Sequence, residues 1–151
     1  MKVYLAARYS RREELCGYRG QLEAIGCTVT SRWLNGSHQI SNAGIPIGDH
    51  GEALVEGDDG SADSRSAMLR QKFADEDYRD VAGCDLLIAF TEAPRSGHSR
   101  GGRHVELGLA LGMMKEVWVI GHQENIFCWH EDVRFFQTWK DALAAVTAEE
   151  R

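Results

Sequence analysis

The run Asp85-Leu86-Leu87-Ile88-Ala89-Phe90 most constrains how this chain folds, because of the segments directly after it. A loop rich in Gly, Ser and Arg comes next, and then Gly101-Gly102-Arg103-His104-Val105-Glu106-Leu107-Gly108-Leu109-Ala110. A short apolar run between turn signals reads as a buried strand, and the second stretch reads as a helix. Strand, glycine-rich loop and helix in that order belong to an open α/β sheet, where ligands bind beyond the carboxyl ends of the strands. Glu106, in the first turns of that helix, therefore faces the expected crevice. It could act there as nucleophile or general base. The plain alternative is an acid complementing the helix dipole.

The rest of the chain repeats the alternation. Lys2 to Ala7 is a short apolar run, and Leu15, Tyr18, Leu22 and Ile25 recur at helical spacing from Ser10 to Ile25. Ser10 and Glu13 match a capping box, and Gly26 suits the stop. Cys27 to Leu34 alternates and is β-branched, which predicts a second strand. Strand, helix, strand over so few residues is a βαβ unit with parallel strands. Residues 35–65 break the pattern with glycines and scattered acids, and are expected to form a mobile flap with one short helix near Gly51–Val55. Helical spacing returns over Ser66–Ala82, with Asp75, Glu76, Asp77 and Asp80 in its second half, where acids oppose the macrodipole. Further strands are expected at Asp85–Thr91, Glu116–Gly121 and Val133–Phe136. Helices are expected at Arg103–Met114 and from a Thr138 cap to Ala148, the last with Trp139, Leu143 and Val146 inward. The expected fold is a single-domain α/β three-layer sandwich, flavodoxin-like or Rossmann-like, with about five parallel strands.

At 151 residues and 43% hydrophobic content the chain is one globular domain. Its net charge of -6 disfavours bulk nucleic-acid binding. No apolar run is long enough for a membrane span, and Met1 leads straight into a strand, so a cytoplasmic protein is expected. Cys16, Cys27, Cys84 and Cys128 show no metal or redox spacing and read as small buried residues. No metal or other cofactor is expected.

Two loops at the strand ends carry the candidate anion-binding groups. The first offers Arg8, Tyr9, Ser10 and Arg11; the other offers Ser99, Arg100, Gly101, Gly102 and Arg103. Backbone N–H groups at a helix start, supported by arginines, suit a phosphate. The lysine and spacing of a Walker loop are missing. A solvated surface loop is the alternative for these arginines. Asp77 lies eight residues before the head of the third strand, about two turns toward that strand's carboxyl edge, which brings it toward the pocket of Glu106. The alternative is a surface helix acid.

Tyr4-Leu5-Ala6-Ala7, Asp77 with Ala82-Gly83-Cys84-Asp85-Leu86-Leu87-Ile88, and Gly102-x-x-x-Glu106-Leu107-Gly108-x-Ala110 together resemble the nucleoside 2-deoxyribosyltransferase superfamily, which includes the deoxynucleoside 5'-monophosphate N-glycosidases. The resemblance spans about residues 1–121 and implies N-glycosidic bond hydrolysis or deoxyribosyl transfer on a nucleoside or nucleoside 5'-monophosphate. It implies Glu106 as the nucleophile at C1', Asp77 as the acid assisting the leaving base, and Tyr4 as the residue positioning the nucleophile. It also implies a homo-oligomer in which a neighbour completes the site, with Asn125 and His130 the candidates to reach across. Trp118, Phe127, Trp129, Phe135 and Phe136 are expected as aromatic interface surface, or alternatively as a corner packed under the last helix. The rival function is a non-catalytic nucleotide-binding module on the same scaffold.

Overall fold

The computed structural model describes residues 1–36, 64–93 and 101–150, with backbone only for 64–70. The expected flap at 35–65 falls almost wholly outside the described residues. Five parallel strands form one sheet: β1 (Lys2–Ala6), β2 (Thr28–Val29), β3 (Leu86–Phe90), β4 (Glu116–Ile120) and β5 (Val133–Phe136), in the order β2-β1-β3-β4-β5. Four α-helices accompany them among the described residues: α1 (Arg12–Ala24), α2 (Ser64–Gly83), α3 (Gly102–Gly112) and α4 (Trp139–Glu149). This is the flavodoxin-like strand order, and its switch point lies between β1 and β3.

The central strands β1, β3 and β4 are buried almost throughout, as their unbroken apolar runs require. Register pairs Tyr4 with Leu87 and Ile88 with Trp118. Tyr4 reaches α3 through its hydroxyl. Phe90, of opposite parity to Leu87, instead meets Tyr18 of α1 and Trp139 of α4. Helices α2 and α3 thus cover one face, α1 and α4 the other, and the three-layer sandwich is the observed fold.

Three local expectations are corrected. The second strand stops at Val29, because side chains replace its ladder. Ser31 Oγ accepts from Leu5 N at 2.6 Å and donates to Leu5 O at 3.3 Å, and Trp33 Nε1 donates to Leu5 O at 2.9 Å. With the edge of β1 satisfied this way, the chain turns through a 3-10 segment, Arg32–Asn35. The Ser10 capping box does not form. Ser10 sits in a 3-10 turn, Tyr9–Arg11, and α1 begins at Arg12 with no side-chain cap. Trp118 is not surface: it is fully buried, against Phe136 and the Arg134 guanidinium.

Other signals act as read. Gly26 has φ +95°, and the bonds Gly26 N to Glu23 O and Cys27 N to Leu22 O close α1 in a Schellman motif. Thr138 Oγ1 accepts from Asp141 N and caps α4. The acids of α2 are reconciled locally. Asp80 accepts from Arg32 N at 2.9 Å and Nε at 2.8 Å, and Glu76 lies 3.8 Å from Lys72 Nζ. Cys27, Cys84 and Cys128 are buried and Cys16 is partly so, all as free thiols.

Candidate active site

At the switch point, buried Tyr4 of β1 donates its hydroxyl to Glu106 Oε1 at 2.7 Å. Burial raises the Tyr4 pKa well above its ordinary value, and the Glu106 and Asp77 carboxylates push it further. A phenol so held stays protonated and remains a donor, which favours the ionised form of its acceptor. Both carboxylates therefore act on one hydroxyl, bringing together residues that stand 102 and 73 positions from Tyr4 in sequence. Glu106 comes from the second turn of α3, and its side chain is half-buried.

Asp77 holds its proton more tightly than an ordinary aspartate does. Burial raises its pKa to about 7, the neighbouring Asp80 and Glu76 carboxylates add to the rise, and Arg32 opposes it. An ordinary aspartate is ionised at neutral pH, whereas this one holds its proton up to about pH 7. One carboxylate bonded to a fixed donor and another that keeps a proton is the pairing that separates a nucleophile from a general acid.

The start of α3 is fixed by a buried ion pair. Gly101, at φ +78°, precedes the first helical residue, Gly102. Arg103 is 5% exposed and grips Glu124 from Nη2 at 2.8 Å to both oxygens, with Nε at 3.0 Å. Glu124 Oε1 also accepts from Glu92 N at 3.1 Å, tying the loop after β3 to the loop after β4. His104 stands beside this pair, and Asn125 Nδ2 lies 3.0 Å from its Nδ1. Burial and Arg103 lower the His104 pKa, against the pull of Glu124.

The remaining sequence candidates divide. Arg11 holds Glu14 through two bonds of 2.8 Å and reaches Glu92 at 3.4 Å, so its guanidinium, like that of Arg103, already faces carboxylates. Arg8 lies at the end of β1, and its buried Nε has no hydrogen-bond partner among the described residues. Tyr9 packs 6.0 Å from the Trp33 ring, and Ser10 is exposed. Asn125 caps a 3-10 turn, Ile126–Trp129, by accepting from Phe127 N. His130 Nδ1 accepts from Asp132 N at 3.2 Å just before β5, on the side of the sheet where strands begin. Ser99 and Arg100 lie outside the described residues. Among those residues no cluster of three or more His, Cys, Asp or Glu could hold a metal ion, and no helix is long and apolar enough to cross a membrane. Glu124 is the residue that sequence reasoning missed; its signal was an acid just after the carboxyl end of a strand.

No family model matches the chain, and no curated protein matches it significantly. Solved structures do. A CMP N-glycosidase from Clostridium botulinum has 18% identity and a TM-score of 0.54, covering 98% of this chain and 99% of its own. The 2-deoxyribosyltransferase of Bacillus psychrosaccharolyticus has 16% identity and a TM-score of 0.64, covering 97% and 96%. A 2-deoxyribosyltransferase from Leishmania mexicana has 13% identity and a TM-score of 0.57, covering 97% of each chain. Over nearly its whole length, the chain shares the fold of the 2-deoxyribosyltransferases and of CMP N-glycosidase.

Proposed function

We propose that this chain is an enzyme that breaks the N-glycosidic bond of a nucleoside or nucleoside 5'-monophosphate. The single observation behind this is the 2.7 Å bond from Tyr4 to Glu106 beside an Asp77 that keeps its proton to about pH 7. The fold shared with N-glycosidase and deoxyribosyltransferase structures supports the reading. The ionised Glu106 attacks C1' of the sugar, and the bond from C1' to the base nitrogen breaks. The electron pair leaves with the base, which takes the proton of Asp77. Water then attacks the glycosyl ester and returns a proton to Asp77, or a second base takes the sugar in its place. Tyr4 keeps the nucleophile in position.

The preference for a 5'-phosphate is the finer part of this reading. With Arg11 and Arg103 already paired, Arg8 at the end of β1 is its best-supported anchor among the described residues. A homo-oligomer, with a neighbour bordering the site, belongs to the same proposal and draws on the exposed apolar turn Ile126–Trp129. Incubation with a panel of nucleosides and 5'-monophosphates, with free base followed by chromatography, tests the reaction. Absence of base release from every member would remove it. Replacing Arg8 by Ala should cost 5'-monophosphates about tenfold to a hundredfold, the range for a hydrogen bond to a charged group, and cost nucleosides little. Equal losses on both would leave Arg8 a structural residue.

A further inference from the structure

A second concavity opens on the opposite face of the sheet from Tyr4 and Glu106. It is a cleft of about 450 Å³ at the carboxyl ends of β3 and β4. Phe90, Tyr18 and Trp139 form its aromatic wall. The Tyr18 and Trp139 rings stack at 4.4 Å with 21° between their planes, and Phe90 lies 5.4 Å from Tyr18. The backbone at the cleft is closely packed. Gly121 takes φ +110°, and a Cβ there would come within 3.1 Å of Thr91 O. The catalytic scheme uses none of these residues.

We infer that this cleft is a binding site for an uncharged planar nitrogen heterocycle, of the size of a nucleobase or nucleoside. The volume lies in the range of small-ligand pockets. Tyr18 and Trp139 are half-buried and present the open part of their rings to the cleft, a π surface for any flat ring, while Phe90 is buried behind Tyr18 beneath the Arg11 guanidinium. The rim supplies both hydrogen-bond donors and acceptors, through the Gln137 amide, the His122 imidazole and the Glu92 carboxylate. An edge of alternating ring nitrogens and amino or carbonyl groups needs that mixture. A phosphate does not fit it. The one guanidinium on the rim, Arg11, already holds Glu14 at 2.8 Å and Glu92 at 3.4 Å, and the Glu92 carboxylate would repel an anion.

The inference stands on the cleft, independently of the glycosidic reading, so its test is binding without turnover. Free adenine and free cytosine are titrated into the full chain carrying Glu106→Gln, by calorimetry and by tryptophan fluorescence. The expected result is saturable binding of at least one base at one site per chain, with quenching of Trp139. Trp139→Leu should weaken that binding about tenfold, the equivalent of about 1.4 kcal/mol. Should that variant fail to fold, Gln137→Ala, on the exposed rim, carries the test and should weaken binding severalfold. Failure of both bases to bind at millimolar concentration overturns the assignment. So does binding that the folded cleft variants leave unchanged, which would locate the base elsewhere, on the Glu106 side of the sheet.

Discussion

Tyr4, Glu106 and Asp77 form a unit whose members are expected to fail in different ways. Glu106→Gln keeps the size of the side chain and removes the proposed nucleophile, so base release should vanish while thermal melting changes little. Full turnover by a folded variant would overturn its role. Tyr4→Phe removes the 2.7 Å bond and leaves the carboxylate without that donor. A hydrogen bond to a charged acceptor contributes about 1.5–3 kcal/mol, so kcat/KM should fall about tenfold to a hundredfold. Asp77 carries a pH signature. Its folded-state pKa is about 7 against an ordinary 3.8, so the folded chain binds this proton more readily than the unfolded chain does. The stability from this group is then fully present below about pH 3.8 and lost as pH rises to about 7. Asp77→Asn should therefore stabilise the fold at pH 8, on the order of 1–3 kcal/mol after solvent screening at a half-buried site, and do little at pH 4. Urea melts at the two pH values measure this. On the proposed function, base release by the native chain should decline above about pH 7 as Asp77 loses its proton. The Asn variant should be slow, with that limb missing from its profile.

At the scale of elements, the start of α3 depends on a carboxylate that belongs to another connection. Arg103 and Glu124 are 3% and 12% exposed at their side chains, and Glu124 also holds the backbone of Glu92. Removing one partner from a buried pair leaves an uncompensated charge and costs about 3–5 kcal/mol. Glu124→Ala should fall in that range by thermal or urea melting. The double variant Arg103→Met with Glu124→Leu should recover most of the loss, since buried pairs replaced by apolar residues are often near neutral. Its turnover should remain low, because the loop after β3 loses its tie to the loop after β4. Recovery of activity along with stability would make the pair merely a packing element. The contact that ends β2 obeys similar local logic. Ser31 and Trp33 satisfy Leu5 with side chains, so a longer edge strand has no bond to gain there.

For the whole molecule, the 2-1-3-4-5 order sets a crevice at the β1/β3 switch point and leaves β5 as one edge. Near that edge Ile126, Phe127 and Trp129 are 79%, 59% and 69% exposed within one short turn. Contiguous exposed apolar side chains of this kind mark interaction surfaces. The expected occupant is a second copy of the chain, and light scattering at micromolar concentration should give a dimer or larger. Trp129→Glu should shift that mass toward the monomer. A native monomer whose specific activity is unchanged on dilution would dispose of a shared site. Trp118 and Phe136, counted with these aromatics from sequence, lie instead against each other behind Arg134.

Periodicity, apolar runs and turn residues determined the alternation of strands and helices, the parallel sheet and the stop at Gly26. These signals are local, and the backbone answers them over a few residues. The place of Glu106 on α3 was legible for the same reason, since a strand, a glycine loop and a helix start fix where its side chain begins. What the tertiary structure alone decided depends on partners far away in sequence. Arg103 read as an open cation until Glu124 came from the loop after β4, and Trp118 read as surface until Phe136 and Arg134 covered it. The raised pKa of Asp77 was equally invisible in its spacing, because its causes are burial and the neighbouring Asp80 and Glu76 carboxylates. Spacing records where a side chain starts along the chain, whereas its charge state is set by the water and the charges that folding leaves around it.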